Sequence, residues 1–243
     1  MFSKLIKAKN SDYKPLFFDV KNEGGKIELV KILESYKGII VLDEIESQLK
    51  ELIKLKHPRR KLSDIESDEL IKTHLGNQSI DEYGIWVYYS WLNKVVHLLP
   101  EEEFIEVRTN RNHYKITPEE EIELAQKKIG VIGLSVGKSI ALTIALERIC
   151  GELILADFDE IELSNLNRIQ TGVQNLGVKK TIVVAREIAE IDPYLKVTCL
   201  AEGITEDNVD DFFLKGGKLS VCIEVCDGLN TKIFTRQKAK EYG

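Results

Sequence analysis

The sequence contains little cysteine, and the placement of that cysteine excludes one common kind of site. Its 243 residues include four cysteines, at positions 150, 199, 222 and 226. None forms a C-x-x-C pair, so the usual signature of a cysteine-bound zinc is absent. Three of them fall within predicted strands or a helix, where a cysteine is usually a small buried hydrophobe. We therefore expect reduced thiols and a cytoplasmic protein.

Excess positive charge and long apolar runs are also missing. The formal net charge is -6, which argues against nucleic acid as the main partner because phosphate contacts require a basic surface. The longest apolar candidate, residues 129–156, is interrupted by Lys138, Glu147 and Arg148, so no membrane span is predicted. The N-terminal residues lack the apolar core of a signal peptide. With 43% apolar and 30% charged residues, the composition is that of a globular protein.

Residues 1–116 are predicted to form a smaller α/β accessory region. Residues 12–58 alternate strand and helix patterns, which indicates a β-α-β-α unit. The charged segment 58–70 (PRRKLSDIESDEL) is interpreted as a connector or docking surface. Residues 80–116 are rich in aromatic and β-branched side chains, and we predict three successive strands there, the last over Phe104–Thr109.

Residues 117–243 are predicted to form a Rossmann-like, doubly wound, mainly parallel sheet. A helix should begin here, because Thr117 can cap it, Pro118 suits its first position and Glu120 completes a capping box. Four strands then alternate with helices. These strands are continuous apolar runs, which is typical of parallel strands buried on both faces. Their ranges are 129–134, 152–157, 196–202 and 219–225.

The turn after the first of these strands, GLSVGKS (residues 133–139), fits several motifs. Gly133–Gly137 matches the G-x-S-x-G of a hydrolase, but all four histidines precede Ser135, so the required order is absent. A strict P-loop needs a glycine where Ile132 stands. What remains is a strand-turn-helix whose helix start can bind an anion. Lys138 in that helix start is either a ligand of the anion or a solvated lysine.

The end of the second strand carries an acid that suits a nucleotide. Ligands of such a sheet bind beyond the carboxyl ends of its strands. Asp157 lies 24 residues after Gly133 and is placed to accept hydrogen bonds from a ribose. Acids at this position occur with NAD and with other nucleotides, so Asp157 alone leaves the nucleotide open.

The segment DFDEIELSNLNRIQ (157–170), followed by NLGVKK (175–180), resembles the ThiF/MoeB/HesA family of adenylating enzymes, which are relatives of the ubiquitin-activating enzymes. The family pattern is an Asp-x-Asp after the second strand, then S-N-L-x-R, then a lysine that opens the next helix and an aspartate after the fourth strand. This chain has each element, and the resemblance covers about residues 117–243. It implies an adenylyltransferase that uses ATP and Mg²⁺ to activate a substrate carboxylate.

The resemblance also implies a set of site residues. The expected ATP-binding residues are Gly133, Ser135, Lys138, Asp157, Asp159, Asn165, Arg168 and Lys180. Arg168 and Lys180 would neutralise the charge that builds up when an anionic carboxylate meets a triphosphate. Asp227 would hold Mg²⁺, which usually takes one or two carboxylates together with phosphate oxygens. Arg168, Lys180 and Asp227 are therefore the candidate catalytic residues.

Each of these three residues also has a purely structural interpretation. Arg168 could pair with Asp159 or Glu162, Lys180 could be a solvated residue at a helix start, and Asp227 could cap the following helix. The expected partner is a protein or molecule with a carboxylate, for instance the C-terminus of a small ubiquitin-like carrier protein. The resemblance also allows a homodimer.

The first turn departs from the family pattern, G-x-G-G-x-G. Gly133 matches the first glycine, but Ser135, Val136 and Lys138 replace the others. Either Ser135 and Lys138 act as phosphate ligands or nucleotide binding is impaired. Two alternatives therefore stay open, an NAD(P)-binding oxidoreductase and a non-catalytic nucleotide-binding or scaffold module.

The family's zinc-binding cysteine pairs and its catalytic-cysteine loop would lie beyond residue 243. We accordingly expect an N-terminal fragment of a longer bacterial protein. Residues 110–120 and the 133–139 turn are similar to those of bacterial proteins in which such a domain precedes a nitroreductase-like domain.

Overall fold

The computed structural model describes residues 11–243. The chain divides into two compact units. The N-terminal unit comprises residues 15–115, and the C-terminal unit comprises residues 116–243 together with the described residues 11–14. Across residues 11–243, no helix is both long and apolar enough to cross a bilayer.

The N-terminal unit contains a four-stranded mixed sheet. Its elements are β1 (Leu16–Phe18), α1 (Glu23–Ser35), β2 (Ile40–Asp43), α2 (Ile45–Lys56), α3 (Asp64–Leu75), β3 (Ile85–Tyr89), β4 (Lys94–Leu98) and α4 (Glu101–Thr109). The strand order is β1-β3-β4-β2, in which β2 runs parallel to β4 and the other pairs are antiparallel. The β-α-β-α pattern predicted for residues 12–58 is present.

One sequence prediction of this unit was wrong and another was wrong in part. The segment 58–70, interpreted as a connector or docking surface, includes the start of α3, where Ser63 and Glu66 form a capping box. Its use as a docking surface stays a prediction. The predicted third strand is helix α4, which starts after Pro100 with three glutamates in its first turn. Acidic residues stabilise a helix N-terminus, and Phe104 and Val107 present one apolar face at helical spacing to the core formed with α2 and α3.

The C-terminal unit is built on four parallel strands in the order β7-β6-β5-β8. Its elements are α5 (Pro118–Leu124), β5 (Lys128–Ile132), α6 (Gly137–Glu147), β6 (Glu152–Ala156), α7 (Lys180–Ile191), β7 (Lys196–Leu200), α8 (Val209–Leu214), β8 (Val221–Glu224) and α9 (Leu229–Tyr242). The predicted Rossmann-like parallel sheet is confirmed. The capping box predicted for Thr117 and Glu120 is also present.

The central strands β5 and β6 are buried on both faces, which explains their continuous apolar sequences. Alternate residues of β5 and β6, such as Val131 and Leu155, pack with α6 and α7. The intervening residues, such as Ile132 and Ile154, pack with α8 and α9 on the other face. The doubly wound arrangement places the carboxyl ends of all four strands at one edge.

Gly130 in β5 allows α8 to approach this sheet closely. A Cβ atom at Gly130 would lie 2.3 Å from Cζ of Phe212, a side chain that is itself fully buried. We predict that Gly130→Ala lowers the free energy of unfolding by about 1–3 kcal/mol through overpacking. Urea denaturation measures the change. Phe212→Leu should recover part of the loss in the double variant, and strictly additive costs would contradict this explanation.

Candidate nucleotide site

The candidate site lies where the carboxyl ends of β5, β6 and β8 adjoin one another in the parallel sheet. β5 lies between β6 and β8, and the chain leaves β5 in one direction and returns to its other side in β8. Ligands of doubly wound sheets bind at such a reversal of strand order. In this chain the turn at Gly133 and the segment that follows β8 lie at that point.

Gly133 lies directly against that segment. Its φ angle is +87°, and a Cβ atom on it would lie 2.8 Å from the backbone nitrogen of Cys226. On the same edge Val225 N donates to Ile132 O at 2.9 Å. Only glycine combines this backbone conformation with such close contact. The packing places Asp227 one residue beyond the point where the two segments touch.

Asp157 ties the first turn to the loop after β6. Its carboxylate is buried, accepting a hydrogen bond from Leu134 N at 2.6 Å through Oδ2 and one from Asp159 N at 2.8 Å through Oδ1. The sequence predicted a ribose acceptor at Asp157. The structure shows that Asp157 holds the backbone of both turns. A carboxylate oxygen can accept a second hydrogen bond, so the ribose contact stays a prediction.

Lys180 joins the turn and the loop with a side chain. Its ammonium lies 2.7 Å from Oδ2 of Asp159 and 3.3 Å from Oγ of Ser135. Lys180 N also donates to Asp159 O at 2.9 Å. Because Lys180 is only 4% exposed, it is not a solvated helix-start residue. Three predicted site residues thus form one connected group beside Gly133.

Lys138 lies elsewhere than expected. Its side chain is 4% exposed, and its ammonium donates to the carbonyl oxygen of Gln170 and to Oε1 of Glu187, the latter at 2.7 Å. Glu187 lies about two turns along α7 from Lys180. Lys138 is therefore neither the predicted phosphate ligand nor the alternative, a solvated lysine. A buried ammonium needs such acceptors, and the protein itself supplies them.

The S-N-L-x-R motif folds into a single 3-10 turn over Leu163–Asn167. Asn165 is buried, and its Oδ1 accepts from Glu162 N at 3.1 Å, so it shapes the turn. Arg168 is exposed and donates to Ser164 O and to Asn167 Oδ1, both at 3.0 Å. The structure thus gives Arg168 partners in its own turn rather than the suggested Asp159 or Glu162.

Asp227 is an exposed carboxylate just before α9. It does not cap that helix, whose N-cap is Gly228 and has no side-chain cap bond. No group of three or more His, Cys, Asp or Glu side chains suited to a metal occurs within residues 11–243. The sequence reasoning missed Glu224, which accepts from Cys226 N at 2.8 Å and thereby supports the Asp227 loop. An acid near the end of an otherwise apolar strand was the available signal.

None of the four cysteines has the properties of an activated nucleophile. Burial raises the pKa of Cys150 and Cys199 to about 12 and that of Cys222 to about 11. Burial and the neighbouring Glu224 carboxylate raise the pKa of Cys226 as well. A reactive cysteine needs a lowered pKa, so cysteine chemistry is not indicated at this edge.

The role of Asp157 in holding the backbone of the two turns can be tested by Asp157→Asn. Because an asparagine amide presents a donor to one of the two backbone N–H groups, we predict that the free energy of unfolding falls by about 2 kcal/mol, the loss of one charge-assisted hydrogen bond. Urea denaturation measures it. Asp207→Asn, at an exposed carboxylate of the same unit, is the control and should change stability by less than about 0.5 kcal/mol. Equal effects of the two substitutions would contradict the role given to Asp157.

Comparisons with known proteins agree with this geometry. The sequence profile of the ThiF family matches residues 109–243. An uncharacterized protein of Mycobacterium tuberculosis is 48% identical over 160 residues, which cover 66% of this chain and 22% of that protein. The tRNA threonylcarbamoyladenosine dehydratase of Haemophilus influenzae is 31% identical over 118 residues, 48% of this chain and 44% of the relative.

A solved structure shows the same fold with a nucleotide bound. The Escherichia coli tRNA N6-threonylcarbamoyladenosine dehydratase in complex with ATP matches with a TM-score of 0.52 and 27% identity, over 56% of each chain. The matches to the curated relatives cover between 22% and 44% of those proteins' lengths. Since the family profile covers more than half of the sequence and the parallel sheet agrees with it, the chain belongs to the ThiF family.

Proposed function

We propose that the C-terminal unit binds ATP with Mg²⁺ and that the protein containing it is an adenylyltransferase that activates a substrate carboxylate. The observation that carries this proposal is the connected group of Ser135, Asp159 and Lys180 beside Gly133, with Asp157 holding its backbone. The ATP complex of the Escherichia coli relative supports the choice of nucleotide over NAD(P).

The phosphate groups of ATP would lie at the start of α6. Its N-cap residue, Val136, makes no side-chain cap hydrogen bond, so N–H groups at the helix start can bind an anion. Ser135 supplies a hydroxyl at the same turn. Lys180 supplies an ammonium, which has three donors, and two acceptors engage it among the described residues. These groups replace the close backbone approach that further glycines would allow.

Asp227 suits the magnesium ion. It is an exposed carboxylate next to the Gly133 turn, and Mg²⁺ commonly binds one or two carboxylates together with phosphate oxygens and water. When bound, the ion neutralises phosphate charge. A larger set of protein ligands is not needed for this role.

In the proposed reaction a carboxylate oxygen of the substrate forms a bond to the α-phosphorus of ATP. The bond from that phosphorus to the bridging oxygen of the β-phosphate breaks, and pyrophosphate leaves. Lys180, fixed in place before the reaction, would stabilise the negative charge on the phosphates. Arg168 would contribute its guanidinium by exchanging Ser164 O and Asn167 Oδ1 for phosphate oxygens.

The proposed substrate is a protein or peptide carboxylate rather than a tRNA. The ubiquitin-like modifier-activating enzyme 5 of Drosophila willistoni is 31% identical over 90 residues, 37% of this chain and 22% of that protein. The relatives that modify tRNA favour a tRNA substrate, but the net charge of -6 of this chain disfavours a polyanionic partner. ATP–pyrophosphate exchange with the two kinds of substrate distinguishes them. Binding of NAD(P) without ATP binding or exchange would contradict adenylation.

Lys180→Met should weaken binding of Mg·ATP, because the variant keeps the length of the side chain and loses its charge. We predict a dissociation constant at least about tenfold higher, as expected from the loss of one charge-assisted hydrogen bond. Isothermal titration calorimetry measures it. Lys196→Met is the matched control, because Lys196 pairs with Glu152 at the opposite edge of the same sheet. Equal affinity of the two variants would show that Lys180 does not contact the nucleotide.

Asp227→Asn should raise the magnesium requirement without disturbing the fold. We predict that half-maximal pyrophosphate exchange requires at least about tenfold more Mg²⁺, since a neutral amide is a poorer ligand of this ion. A titration with Mg²⁺ at fixed ATP provides the measurement, with Asp207→Asn as the control. An unchanged magnesium dependence would assign the metal to other groups.

A further inference from the structure

The ion pair between the buried Lys138 and the partly exposed Glu187 connects three parts of the C-terminal unit. Lys138 belongs to the first turn of α6 and Glu187 to α7. The Lys138 ammonium also donates to the carbonyl oxygen of Gln170, in the segment between the 3-10 turn and α7. One buried cation thus joins two helices and a connecting segment.

The connection continues along this segment. Oε1 of Glu187 accepts a hydrogen bond from the Thr171 hydroxyl at 3.4 Å, and the Thr171 hydroxyl accepts one from Asn175 Nδ2 at 2.8 Å. Residues 170–175 are therefore held to α6 and α7 by side chains rather than by strand or helix pairing.

Arg168 lies immediately before this anchored segment. Its backbone nitrogen donates to Asn165 O at 3.0 Å, and the next residue, Ile169, is buried in a small core with Ile161 and Val183. Gln170 follows with its carbonyl oxygen on Lys138. The backbone of Arg168 is fixed on both sides while its side chain stays exposed.

We propose that Lys138, paired with Glu187, is a positioning residue that holds the segment 168–175 so that Arg168 is presented to the nucleotide. This inference rests on the proposed function, in which Arg168 stabilises phosphate charge. A buried ammonium is stable only with its acceptors in place, so the pair strongly favours one arrangement of the segment. Lys138 occupies a phosphate-binding turn and acts on the site through Arg168.

Hydrogen exchange on the full chain tests the anchoring without any activity. In Lys138→Met, peptides covering residues 164–175 should exchange at least about tenfold faster, while peptides from the strands keep their rates. Lys138→Arg should retain most of the protection, because it keeps the charge and the donors. Lys127→Met, which removes an exposed ion pair with Glu123 in the same unit, is the control. Unchanged protection of residues 164–175 in Lys138→Met overturns the proposal.

A second variant tests the anchoring independently, in case Lys138→Met does not fold. Thr171→Val leaves the ion pair intact and removes the hydroxyl between Glu187 and Asn175. It should raise the exchange of residues 170–175 alone, and exchange equal to wild type would also count against the anchoring.

Steady-state kinetics separate positioning from a general loss of stability. Lys138→Met should lower kcat for ATP–pyrophosphate exchange about tenfold and change KM for ATP less than about threefold. Adding Arg168→Ala to Lys138→Met should lower kcat no further, because both substitutions remove the same contribution, that of the Arg168 guanidinium. Additive losses overturn the role through Arg168. If the wild type shows no ATP–pyrophosphate exchange, the proposed function is overturned. The hydrogen-exchange result would still decide whether Lys138 anchors the segment.

Discussion

The site depends on one buried carboxylate, that of Asp157, which accepts backbone hydrogen bonds from two different loops. Without this carboxylate, Leu134 N in the turn after β5 and Asp159 N in the loop after β6 would each lose a charged acceptor. With it, Ser135 and Asp159 are brought to the same ammonium, that of Lys180. The geometry of the groups proposed to face phosphate therefore depends on a residue whose two carboxylate oxygens both accept hydrogen bonds from the protein backbone.

Two lysines of this unit differ in where their carboxylate partners lie and in how exposed those partners are. Lys138 and Lys180 are equally buried, and each pairs with a carboxylate. Glu187, the partner of Lys138, lies along α7, away from the strand ends. Asp159, the partner of Lys180, belongs to the loop at the strand ends, and half of its side chain is exposed. In the proposed site a ligand would reach Asp159 more readily than Glu187, whose side chain is 27% exposed.

Much of the C-terminal unit could be predicted from sequence, because its signals are local. Continuous apolar strands indicated the parallel sheet, and Thr117 and Glu120 indicated the helix start. The prediction for the N-terminal unit was wrong at α4, where the aromatic and β-branched content of residues 104–109 indicated a strand although Pro100 and three glutamates favour a helix start. The partners of Lys138 could not be predicted, since Gln170 and Glu187 are 32 and 49 residues away and only tertiary packing brings them together.

In the glycine-poor turn 133–139, a bound phosphate would be contacted by side chains where further glycines would let the backbone approach it. Gly133 stays because its positive φ and its contact with Cys226 exclude any side chain. Gly137 is also constrained, since a Cβ atom there would lie 2.8 Å from Cγ1 of Val131. Ser135 and Lys138 do carry side chains, and these contact Lys180 and Glu187 of α7. A phosphate at this turn would then meet a hydroxyl and an ammonium, whose orientation depends on Asp159 and on the start of α7. Affinity for nucleotide would accordingly respond to changes in α7, a helix that need not touch the ligand except through its first residue.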